Sequence, residues 1–90
     1  MNKSQKVVKK VDFRKITIKD IEGKSVEVDF SKQIGNQLYM QGQNIEECEL
    51  GQIIYHKGEV EMTDKDIEAV KRFVGNYPYL SRTAIEDVMK

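Results

Sequence analysis

Residues 44 to 62, NIEECELGQIIYHKGEVEM, form the one stretch where a complete amphipathic helix pattern runs directly into a strand pattern. Asn44 is a good N-cap. Glu47, three residues later, has capping-box spacing, so two orphan amides at the helix start can be satisfied locally. Glu46, Glu47 and Glu49 then oppose the positive end of the helix dipole, while His56 and Lys57 suit the negative end. Leu50, Ile53 and Ile54 fall at the i, i+3, i+4 spacing of a buried face that Tyr55 and Cys48 widen. Gly58 is the expected left-handed stop. After it, Val60 and Met62 alternate with Glu59 and Glu61, which predicts a short strand with one face toward a core. That strand needs a sheet, and only the N-terminal part of the chain offers one.

There Phe13, Ile16, Ile18 and Ile21 interleave with Arg14, Lys15, Lys19 and Asp20, and Val26, Val28 and Phe30 alternate with Glu27 and Asp29. Two strands follow, and the short Glu22-Gly23-Lys24 connection makes them an antiparallel hairpin. Between hairpin and quoted stretch, Asp29 or Ser31 caps a helix running to about Gln41, with Ile34 and Leu38 one turn apart and Tyr39 beside them. Gly35 lies inside this helix at a cost of about 1 kcal/mol relative to alanine. It either marks a close approach to another element or is simply tolerated. Downstream, Thr63 begins a helix with Asp64 and Asp66 in its first turn and Ile67, Val70, Phe73 and Val74 as its inner face. Pro78 breaks the chain at Tyr77. Ser81 or Thr83 then caps a last helix whose apolar side is Ala84, Ile85, Val88 and Met89.

The expected architecture is therefore α+β: an N-terminal hairpin plus a short third strand, with about four helices packed on the sheet. Residues 1 to 11, with Lys3, Lys6, Lys9 and Lys10, read as a basic flexible tail, and residues 12 to 90 as one small domain. A chain of 90 residues buries only about 60 to 65 % of its unfolded surface. Nine valines and nine isoleucines against three leucines suit a mixed α/β core. Formal charge is zero overall but is +5 over residues 1 to 24 and −5 over residues 25 to 62, a dipole rather than a polyanion binder.

Most chemistries lack their residues. One cysteine excludes an internal disulfide, and the absence of any long apolar run argues against a signal peptide or membrane span, so the expected compartment is the cytoplasm. Cys48 and His56, eight residues apart on one helix, stand about 12 Å apart and cannot act as nucleophile and base. His56 with Glu49 or Glu59 has neither a second histidine nor a cysteine pair to complete a metal site. No phosphate-cradling glycine spacing follows a strand. The expectation is a protein that is not an enzyme, with no cofactor and no metal.

Two binding readings remain. The first is a protein interaction or assembly module, most simply a homodimer, with Tyr39, Tyr55, Tyr77 and Tyr79 as candidate partner-binding residues and Phe73 among the large rings such a short chain must cover. The alternative is a DNA-binding protein with a C-terminal helix-turn-helix, in which Lys6, Lys9, Lys10, Arg82 and Thr83 contact nucleic acid. Against the alternative stand Pro78 in the turn, Glu86 and Asp87 on the second helix, and no net positive charge over the last 28 residues, where a DNA reader carries a basic footprint.

The run from Val26-Glu27-Val28-Asp29-Phe30 through Leu38-Tyr39 to Ile54-Tyr55-His56-Lys57-Gly58-Glu59-Val60 resembles small uncharacterised bacterial proteins of the kind found in prophages and integrative elements. The resemblance spans about residues 13 to 75. It lies in layout and texture, and it implies an assembly or accessory role without catalytic residues.

Overall fold

The computed structural model describes residues 6–90. In chain order the elements are β1 (Lys9–Asp12), β2 (Ile16–Lys19), β3 (Ser25–Val28), α1 (Ser31–Gln41), α2 (Ile45–Lys57), β4 (Glu59–Met62), α3 (Asp64–Val74) and α4 (Tyr79–Val88). The α+β architecture with four helices agrees with the sequence pattern, but the strands form two antiparallel ladders of two, β1 with β4 and β2 with β3. The hairpin closes as its glycine turn dictates. Gly23 adopts a φ of 85°, and the Asp20 carboxylate accepts from the backbone amides of Glu22 and Lys24 at 2.9 Å.

Two corrections concern the N-terminus. The stretch from Lys9 to Val11, expected to be tail, belongs to a strand in register with β4, Val11 opposite Val60 and Lys9 opposite Met62. The third strand therefore pairs with this segment and not with the hairpin. Lys10 is exposed and Lys9, on the same side of the strand as Val11, is half-buried, while Val11 is 2 % exposed in the core, so a strand that carries one buried valine among charged residues reads locally as a soluble terminus. The tail expectation for residues 1 to 5 lies outside the described residues. Phe13 then joins the two ladders. Its amide donates to the Gly58 carbonyl at 2.9 Å, and its carbonyl accepts from the Phe30 amide at 2.8 Å.

Helix starts follow their caps. The Asn44 side chain accepts from the Glu47 amide at 2.9 Å, and the Glu47 carboxylate in turn accepts from the Gln43 amide and from Arg72 of α3 at 2.6 Å. Thr63 and Asp66 form a reciprocal capping box. Asp29 accepts from the Ser31 amide at 2.8 Å and from its hydroxyl at 2.6 Å, one residue ahead of the N-cap, which is Phe30 and makes no side-chain cap bond. Gly58 ends α2 with a φ of 75°, and the Arg14 side chain lies across it where a Cβ would stand. Helix α4 starts at Tyr79, directly after Pro78, rather than at a Ser81 or Thr83 cap. Proline supplies a suitable φ and lacks an N–H that has no helical partner there anyway, so the break and the new start coincide.

The core gathers Phe13, Ile16, Ile34, Leu38, Ile54 and Met62, all fully buried, with Val70, Val74 and Ile85 from the last two helices. Ile53, expected beside them, is 41 % exposed. The inner arc of α2 is Leu50, Gly51 and Ile54, because α1 lies against Gly51 and turns Ile53 away. Phe73 is buried, so it lies in the core and not on the aromatic surface.

Candidate partner-binding face

Helices α1 and α2 approach each other closely at two glycines. A Cβ on Gly35 would stand 2.7 Å from both the Gly51 carbonyl oxygen and the Tyr55 Cβ; one on Gly51 would stand 2.6 Å from the Gly35 carbonyl and 2.7 Å from the Tyr39 amide nitrogen. The glycine inside α1 thus marks a close approach. Its helical cost is offset by contact that only a missing side chain permits. Backbone meets backbone at the crossing, and the neighbouring side chains project outward.

Those side chains make a face. Tyr39 is 48 % exposed, Met40 69 % and Tyr55 38 %. Between the two tyrosines lies a shallow depression of about 190 Å³ floored by Gly35 and Gly51 and edged by Asn36, Gln52 and His56. Beside it, Gln33, Asn36, Met40 and Gln41 line a second, more open hollow against Tyr55. The Lys32 ammonium closes one end, 4.3 Å above the Tyr55 ring, and donates to the Tyr55 carbonyl at 3.0 Å. That carbonyl is in the last turn of α2, where intrahelical donors run out, so the lysine caps one helix from another. The His56 ring meets Tyr55 edge-on at 5.2 Å, and the Cys48 thiol donates to the Tyr39 carbonyl at 3.4 Å. Both are structural neighbours of the tyrosines, in keeping with their separation on the helix.

The four tyrosines divide. Tyr39 and Tyr55 share the face. Tyr77 is half-buried: its hydroxyl donates to the Gln37 side chain at 3.0 Å, its ring lies 6.2 Å from Phe30, and burial pushes its phenol pKa up. Tyr79, 68 % exposed beside exposed Leu80, sits on α4, which packs against β2.

The nucleic-acid candidates are dispersed. Lys6 is exposed outside any element. Lys9 and Lys10 lie on β1, with Lys10 3.7 Å from Glu59. The Arg82 guanidinium stands 5.5 Å from the Tyr79 ring with a buried Nε that has no protein partner among the described residues. The Thr83 hydroxyl donates to the Leu80 carbonyl at 3.2 Å. Elsewhere Arg14 grips both oxygens of Asp12 at 3.0 Å and holds its carboxyl below the usual carboxylate range. The Ser31 hydroxyl does the same for Asp29. Among the described residues no group of three His, Cys, Asp or Glu side chains is placed to hold a metal ion, and no helix is long and apolar enough to cross a membrane.

Counting tyrosines finds half of this face, and one sequence signal marks the rest. From Gln33 to Ile45 the chain carries no charged side chain, a run of 13 residues in a protein one-third charged. Gln33, Asn36, Met40 and Gln41 come from that run. Gly51, the other half of the crossing, has no side chain to announce it. No protein-family model matches the chain, and no curated protein or solved structure shows significant similarity to it.

Proposed function

We propose that this chain is a non-catalytic protein interaction or assembly module, and that the outer face of α1 and α2 is its docking surface. The observation that supports this reading is the charge-poor, tyrosine- and methionine-bearing face across the glycine crossing, where Lys32 is the one fixed charge among the lining residues. Depletion of charge with enrichment of Tyr and Met is what distinguishes the centre of a protein–protein interface from ordinary surface. Bulk solvent asks for the opposite on an exposed helix. The depression between Tyr39 and Tyr55 is too small and too open for a drug-sized ligand, which needs about 300 Å³ or more, but it suits a single inserted side chain.

The test uses immobilised wild-type chain and a Tyr39→Glu/Tyr55→Glu double variant, both checked for native helix content by circular dichroism, each challenged with extract from the organism that makes the protein. The expected result is a defined set of proteins, including the chain itself, held by the wild type and lost by the variant. Identical sets on both would overturn the reading. The DNA-binding alternative has weaker support, because Lys10 is paired with Glu59 and Arg82 shares its helix with Glu86 and Asp87. Sub-micromolar duplex affinity at low salt, abolished by Arg82→Ala, would install it instead.

A further inference from the structure

We infer that the occupant of the α1–α2 face is a second copy of this chain, bound about a two-fold axis that runs through the face. The inference rests on the reading of that face as a docking surface and adds the identity of the partner. In a two-fold contact the same patch meets itself, and residues near the axis meet their own copies. This imposes a chemical condition that a contact with a different protein does not. A lysine there would confront a lysine, donors only, and a glutamate would confront a glutamate, acceptors only. Primary amides and phenols carry both a donor and an acceptor and can hydrogen-bond to their own kind. Gln33, Asn36, Tyr39, Gln41, Gln52 and Tyr55 are all exposed, and every one is of this self-complementary type. Met40, apolar and flexible, meets its own copy equally well. Lys32, the one fixed charge on α1, lies at the margin with its ammonium already engaged by the Tyr55 carbonyl.

The size of the face agrees with a reversible dimer. Helices of 11 and 13 residues are about 17 and 20 Å long, and side by side they present roughly 350 Å² in projection, somewhat more as accessible area. That lies below the roughly 800 Å² per partner of a standard interface, so dissociation in the micromolar range is expected. A net charge of zero removes long-range repulsion between copies.

Sedimentation equilibrium on the full chain, from roughly 5 to 500 µM to bracket a sub-standard interface, decides the matter, with Asn36→Lys and Asn36→Asp as variants. Asn36 is exposed and lines both hollows, so either change leaves the core untouched, and circular dichroism confirms the fold. The wild-type mass is expected to climb from 10.4 kDa toward twice that value. Each variant alone, placing like charges across the axis, is expected to associate at least about tenfold more weakly. An equimolar mixture of the two regains association as opposite charges face each other. A wild-type mass constant at all concentrations overturns the second copy as partner, as do variants that associate like the wild type or a mixture no better than its components. If the double tyrosine variant still loses a different captured protein, the docking reading stands and only the identity of the occupant falls.

Discussion

Helices α1 and α3 have the same length, 11 residues, and opposite constitutions. Helix α3 carries six charged side chains, with Asp64 and Asp66 at its start, Lys71 and Arg72 at its end, and a full capping box; these are the devices by which a helix holds itself together in water. Helix α1 carries one charge, Lys32, has no acid in its first turn and no base in its last, and lacks a side-chain cap. It is held from outside, by α2 at the glycine crossing and by Ile34 and Leu38 in the core. The difference teaches what each outer surface is for. The exposed side of α3 is spent on solvation and helix stability, whereas that of α1 contributes to neither, since Tyr39 and Met40 could be charged without disturbing a core contact.

The sharpest way to break this comparison is to put a methyl group at the crossing. Gly35→Ala drives a Cβ onto the Gly51 carbonyl, so the helices must separate, at an expected cost of about 3 kcal/mol and a fall in Tm of roughly 12 to 24 °C. Gly75→Ala, just past α3, is the matched control. There φ is −56° and the nearest atoms lie at 3.5 Å, so alanine is expected to be neutral or to stabilise by up to about 1 kcal/mol. Equal Tm values for the two variants would mean that the glycines are incidental.

Next in size is a pair within α2. Ile54→Ala, fully buried, is expected to cost about 2 to 5 kcal/mol, while Ile53→Ala, partly exposed, should stay below about 1 kcal/mol. Denaturant midpoints compare them directly, and a reversal of that order would put α1 on the other side of α2. Smaller again is the cap of α3: Thr63→Ala should remove about 1 kcal/mol, a self-contained contribution for which α1 has no N-cap counterpart.

The smallest expected effect is acid sensitivity near the entry to α1. Asp12 and Asp29 are both held below the ordinary carboxylate value, by Arg14 and by Ser31. Folding therefore favours their ionised forms, so their stabilisation is present above the unfolded value near 4 and is lost as pH falls through the lower folded values. Thermal melts stepped downward from neutral pH should show that loss. Asp29→Asn should flatten it in part, and an unchanged pH profile would show that the Ser31 contact carries no linkage.

Legibility in the sequence followed the range of each interaction. The caps at Asn44 and Thr63, the Gly58 stop and the Gly23 hairpin are local, and their residues announce them. Ile53 misleads because i, i+3, i+4 spacing from Leu50 fixes a stripe but not its edges, and Gly51 occupies the slot that a hydrophobic reading gives to an isoleucine. Strand β1 is hidden by its lysines and by a partner about fifty residues away. The start of α4 is obscured because a proline reads as a break when it is also a good neighbour for a first turn. The uncharged run of α1 can be found by counting, yet its meaning depends on which side of the helix the glycines turn inward.

The ladder between β1 and β4 has a consequence in time. Lys9 pairs with Met62 and Asp12 with Glu59, whereas β2 and β3 pair across a short turn. Closing the longer loop costs about 1.5 kcal/mol more entropy, and the hairpin is expected to gain amide protection first in pulsed hydrogen exchange. On the ribosome the delay is longer, since β4 is made roughly 3 to 10 s after β1 at ordinary elongation rates. Throughout that interval β1 and the two valines just before it, Val7 and Val8, make a β-prone segment with no partner. Lys6, Lys9 and Lys10 flank and interrupt it, and charge in that position keeps a waiting strand from pairing with another nascent chain.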